Sequence, residues 1–179
     1  MRAIDRYTGV LYRELDARSL SAAGRRRLSR NLLTVSGMWG VVAPTDPIPH
    51  YKLKMSAAVQ PMGRLSTWWR PQLVAALAPR LHGVVVWDLL PAEHSAALDW
   101  TGLDPRRRVT VRFLDASGKP VSHWNKLLKG SLVRWLVETG ATSPAAVADL
   151  DHPQGYRLDH DASHIGRQRA ELVLQEGTR

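Results

Sequence analysis

Apolar residues along the chain fall into short runs separated by turn chemistry. Val84 to Asp88 is a β-branched run of the kind a sheet buries on both faces, and Val109 to Leu114 alternates as a half-buried strand does. Leu32-Leu33-Thr34-Val35, ahead of a Ser36-Gly37 turn, predicts another short buried strand, and Glu171 to Gln175 a closing one. Helices are predicted over Ser19 to Leu33, with Arg25, Arg26, Arg27 and Arg30 on an exposed basic face, and over Leu65 to Ala78, with Pro71 expected in the first turn. The strongest helix runs from Ser122 to about Glu138 and ends near Gly140. A capped start at Ser143-Pro144 follows, so residues 122–150 read as a helix-hairpin-helix-like pair. Between residues 43 and 55, Pro44, Pro47 and Pro49 exclude a regular helix, because each removes a backbone donor and restrains its predecessor. This order predicts an α/β fold, mixed and not separable from α+β by periodicity, with a central mixed sheet covered by helices.

On the Ser122–Glu138 helix, Trp124, Leu128, Leu132 and Trp135 share one side and are expected in the core. His123, Lys126, Gly130 and Arg134 share the other, with Lys129 at its margin. A glycine inside a helix costs about 1 kcal/mol relative to alanine, so Gly130 needs a reason. It either lets an anion reach the helix between Lys126 and Arg134, or marks close packing against another element.

Composition narrows the chemistry. At 179 residues, 44% hydrophobic and 23% charged, the chain has the size of one domain and can bury a core. No apolar run is long enough to cross a bilayer and no apolar signal core opens the chain, so a cytoplasmic protein without membrane contact is expected. The absence of cysteine excludes disulfides, thiolate nucleophiles and cysteine-held metal clusters. A net charge of +9, mostly from arginine, favours an anionic partner such as nucleic acid, although a genome rich in arginine codons would give the same excess. His160 and His164, with Asp159 or Asp161, are too weakly helical to be read as a metal site, and no metal or cofactor is expected. Asp88 and Glu93 have the chemistry of an acid–base pair but read more plainly as strand-end polar residues. No nucleophile elbow, Walker loop or dinucleotide fingerprint occurs, and no reaction can be assigned.

Three segments in register say more: RYTGVLY at Arg6 to Tyr12, SGMWGVVAPTDPIPHYKLKM at Ser36 to Met55, and SHWNKLLKGSLVRWLVE at Ser122 to Glu138. Together with Gly155-Tyr156 and the closing ELVLQ, they resemble the peroxide stress protein YaaA family across almost the whole chain. The resemblance implies a compact mixed domain with a basic cleft, a helix-hairpin-helix element, DNA binding, and a part in limiting iron-driven oxidative damage. Carried over by motif, Ser36, Gly37, Lys126, Gly130 and Arg134 match, Lys129 stands for an arginine, and Lys52 replaces one. Ala43, His50 and Lys54 depart from the family's arginine, proline and glutamate. The expected anion or DNA site is therefore Ser36, Gly37, Lys52, His123, Lys126, Lys129, Gly130 and Arg134, with a small anionic substrate as the alternative ligand. Family members usually carry a further amino-terminal portion, so residues 1–179 are expected to form a single domain incomplete at that end.

Overall fold

The computed structural model describes residues 1–122 and 124–177. Its centre is a four-stranded sheet of β5 (Val85–Asp88), β6 (Arg107–Leu114), β8 (Arg169–Glu176) and β7 (Tyr156–Ile165), in that order. β5, β6 and β8 run parallel and β7 pairs antiparallel with β8, so the sheet is mixed as expected. Two short antiparallel pairs stand apart from it: β1 (Thr34–Ser36) with β2 (Gly40–Val42), and β3 (Ala58–Val59) with β4 (Gly63–Arg64). The helices are α1 (Ala3–Arg6), α2 (Val10–Leu15), α3 (Ala22–Asn31), α4 (Leu65–Leu81), α5 (Ala92–Ser95), α6 (Trp100–Leu103) and α7 (Asn125–Thr139), with a 3-10 helix over Pro144–Asp149.

Four apolar clusters hold these elements together, the smallest being Ala3, Val42 and Ile48 with Tyr7 and Tyr51 packed against them. Val109, Val111, Phe113, Leu172 and Leu174 of the sheet pack on Leu128 and Leu132 of α7. Leu65, Leu73 and Leu77 of α4 close over Val35 and Met55. Leu15, Leu20 and Leu28 meet Val133 and Val137, so α7 is shared between the sheet and the pair α2–α3.

Several expectations shift. α7 begins at Asn125, after Trp124, which is therefore displaced from the core stripe and 64% exposed, while Leu128 and Leu132 are buried as expected. Pro71 lies inside α4 rather than in its first turn; it faces solvent, where water can satisfy the carbonyl its missing amide leaves free. The element after Gly140 is a 3-10 helix without a side-chain cap from Ser143, so residues 122–150 hold one α-helix followed by a tighter turn of chain. β7 occupies the segment containing His160 and His164, whose backbone is extended and irregular between Asp159 and His164, which removes the helical spacing considered for those histidines.

His152 is 3% exposed and wedged beside Phe113 and Tyr156. The Gln154 amide donates to its Nδ1 at 3.3 Å, leaving Nε2 to donate to the Leu128 carbonyl at 3.2 Å, so the fold holds the neutral ring. Burial lowers its pKa against the opposing hydrogen bond, so below the ordinary value near 6.5 the unfolded chain takes up the proton first. Stability is therefore full above about pH 6.5 and falls as the pH drops towards the folded pKa. The unfolding temperature should decrease between pH 7.5 and pH 5.5, and His152→Gln should flatten that slope; an equal slope in the variant would place the acid sensitivity elsewhere.

Candidate functional site

The β1–β2 turn is built on Ser36. Its Oγ accepts the amides of Met38 at 3.2 Å and Trp39 at 3.1 Å, leaving its own proton for Tyr51 Oη at 2.6 Å. Tyr51 Oη lies 2.8 Å from Tyr7 Oη, so one hydroxyl chain joins the turn, the proline-rich loop and the amino-terminal segment. A Cβ on Gly37 would stand 2.9 Å from the Leu53 carbonyl, so only glycine lets that loop lie on the turn. Trp69 Nε1 donates to the Gly37 carbonyl at 3.0 Å. Ser36 and Gly37 are both buried and serve to fasten the loop; Lys52 beyond them is exposed.

On α7, the expected anion face is largely taken by protein. A Cβ at Gly130 would lie 2.5 Å from the Leu11 carbonyl and 2.7 Å from Glu14 Cβ, so the missing side chain admits the backbone of α2 and leaves no room for an anion. Arg134 Nη1 donates to the Leu15 carbonyl at 3.0 Å, the Asp16 carbonyl at 3.1 Å and Ser19 Oγ at 2.9 Å, placing a cation at the carboxyl end of α2 where the helix dipole favours it. Lys129 Nζ donates to the Leu89 carbonyl at 3.1 Å, and burial lowers its pKa against the pull of Asp88. Lys126 alone of these cations is exposed; His123 lies outside the described residues.

The carboxyl end of β5 gathers the other polar groups. Asp88 is buried, its Oδ2 2.9 Å from Arg108 Nε and 2.6 Å from Nη2, while Oδ1 accepts the Leu90 amide at 3.1 Å. Arg108 lies 4.2 Å from the centre of the Trp100 ring, so Asp88 is fully engaged and is no free acid–base group. α5 brings Glu93 and His94 to the same end, with Ser56 Oγ donating to Glu93 Oε2 at 3.0 Å. Burial lowers the His94 pKa; Glu93 raises it and Lys126 lowers it by smaller amounts. Among the described residues His94 Nδ1 and Trp100 Nε1 are buried without a hydrogen-bond partner, Glu93 Oε1 standing 3.7 Å from the former.

The arginine runs divide by role. Arg27 turns inward and donates to the Val137 and Glu138 carbonyls at 2.9 and 2.7 Å, while Arg25, Arg26 and Arg30, with Ala22 and Ser29, line an open concave face of α3. Among the described residues none of those three is paired with a carboxylate. Of the second run, Arg107 donates to the Arg167 carbonyl at 3.2 Å, Arg108 holds Asp88, and Arg106 is exposed.

A family model described as Peroxide stress protein YaaA matches residues 1–162. A UPF0246 protein of Streptomyces coelicolor is 40% identical over 163 residues, which cover 89% of this chain and 63% of that protein. UPF0246 proteins of Methylibium petroleiphilum and Corynebacterium glutamicum are each 32% identical, over 173 and 174 residues, both covering 92% of this chain and 66% of the relative. The chain thus spans a little under two thirds of the length of these relatives.

Proposed function

The chain belongs to the peroxide stress protein YaaA family, and from that premise we propose that it serves in the cytoplasm as a DNA-binding protein of the peroxide stress response, limiting iron-driven damage. The outer face of α3 carries this reading. Among the described residues Arg25, Arg26 and Arg30 stand together without carboxylate partners, on a chain of net charge +9. Guanidinium forks match phosphate oxygens and hold their charge at any physiological pH, so such a face suits non-specific contact with the DNA backbone. α3 is favoured over α7 because Lys129 and Arg134 donate to backbone carbonyls, whereas among the described residues Arg26 and Arg30 donate to none and Arg25 donates only to the Leu20 carbonyl just ahead of its own helix.

Three phosphate contacts give a log affinity against log salt slope of about −3 on duplex DNA. Arg26→Ala combined with Arg30→Ala should reduce its magnitude by about 2, since each arginine accounts for about one contact. The wild-type chain should also slow the nicking of plasmid by ferrous iron and hydrogen peroxide, and the double variant should not. Affinity independent of salt, or a slope unchanged in the double variant, would sink the proposal.

A second reading rests on Trp100 Nε1, buried without a hydrogen-bond partner among the described residues, and on His94 Nδ1, which has only Glu93 Oε1 near it at 3.7 Å: a small anion held beside Lys126. Inorganic phosphate and simple carboxylates raising the unfolding temperature of the wild type, but not of Lys126→Ala, would support it over DNA binding.

A further inference from the structure

Three of the chain's four tyrosines sit in one cluster. Tyr7 and Tyr12 stack with ring centres 5.1 Å apart and planes 22° from parallel, and Tyr51 meets Tyr7 edge-on at 6.5 Å. Each stacked ring has a hydroxyl partner for its phenol: Tyr51 Oη for Tyr7 at 2.8 Å, and Thr34 Oγ1 for Tyr12 at 3.0 Å. The chain has no cysteine, so no thiol can absorb an oxidising equivalent ahead of the aromatic side chains. Burial is the main cause holding both phenols above their ordinary pKa, so both rings start protonated and their hydroxyl partners are the nearest places for the proton to go.

We propose that Tyr7 and Tyr12 form a one-electron oxidation site, at which hydroxyl radical generated from peroxide couples the two rings into a dityrosine within the chain. Each phenol gives one electron to a hydroxyl radical and one proton along its hydrogen bond, to Tyr51 for Tyr7 and to Thr34 for Tyr12, and onward to water. The two radicals reduced in this way leave as two water molecules. A carbon–carbon bond then forms between the ring positions ortho to the two oxygens, and the ring hydrogens displaced there move to the oxygens and restore both phenols. The chain loses two hydrogen atoms in all. Stacking supplies the ring contact, and the hydroxyl partners supply the proton acceptors that a lone tyrosine in an apolar setting lacks. The family's setting enters only as the choice of oxidant, so the outcome is independent of DNA binding.

The experiment exposes the full chain to ferrous iron–EDTA and hydrogen peroxide, followed by trypsin and mass spectrometry. Both rings fall in one tryptic peptide, Tyr7 to Arg13, so the link appears as that peptide lighter by two hydrogens and carrying dityrosine fluorescence. The link is expected in folded protein, absent in urea-unfolded protein and in Tyr12→Phe, and several-fold weaker in Tyr51→Phe and Thr34→Val. These last two keep both rings while removing one proton acceptor each, and circular dichroism checks that they fold. Oxidation confined to the exposed Trp39 and Trp124, equal linking in urea, or yields unchanged in both acceptor variants would overturn the proposal.

Discussion

Gly130→Ala is expected to lower stability by about 2 kcal/mol, although alanine is the better helix former. Removing a glycine from a helix interior gains about 1 kcal/mol. Against that, the new methyl would sit 2.5 Å from the Leu11 carbonyl and 2.7 Å from Glu14 Cβ. Neither is the free end of a flexible side chain, so α2 must move as a body, and overpacking of this kind costs about 1–3 kcal/mol or more. The displacement carries further penalties, because Arg134 holds the carboxyl end of α2, and Ser131 Oγ donates to Glu14 Oε1 at 2.7 Å. Urea midpoints measure the loss. Lys126→Ala, one turn earlier on the exposed side, should leave the midpoint within about 0.5 kcal/mol of wild type. An unchanged midpoint in Gly130→Ala would mean that α2 does not press on α7 in this way.

The same glycine marks the limit of what the sequence discloses. That Gly130 needed a reason was legible from helix propensity alone; whether the reason was an anion or a backbone was not, because Leu11 lies far off along the chain and only the fold brings it near. β5, β6 and β8 were legible because strands buried by helices must be apolar or alternate. β7 was not: among the described residues it is an edge strand paired with β8, turns most of its side chains to water, and so carries Asp159, His160, Asp161 and His164 without apolar alternation. α2 is too short to display a helical period, and Gly9 before it reads as a turn. Ser36 was legible as a turn residue from Ser-Gly chemistry, while its place in a hydroxyl chain with Tyr51 and Tyr7 depends on contacts between distant segments. The cations of α7 illustrate the opposite error. A charge on a helix face reads as available, yet the carboxyl end of a neighbouring helix and a strand-end carbonyl are equally good partners.

Arg108→Met is expected to cost about 3 kcal/mol, more than the change on the other side of the pair, Asp88→Asn, at about 1–2 kcal/mol. The asymmetry follows from burial. The Asp88 side chain is 4% exposed and that of Arg108 27%, so losing the guanidinium strands a carboxylate with one remaining hydrogen bond, from the Leu90 amide. Losing the carboxylate charge instead leaves a guanidinium that still rests on Trp100, reaches water and approaches Ser95 Oγ at 3.4 Å. The pair is also a tie between chain segments: it fixes the end of β5 to β6 and, through Trp100 and Ser95, to α6 and α5. Combining the two substitutions should recover much of the loss of Arg108→Met, because no charge is then left buried without a partner. Denaturant midpoints of the four proteins give the coupling directly. Equal losses from the two single variants, with simple addition in the double, would show that Asp88 has water within reach and that Arg108 contributes packing on Trp100 rather than charge.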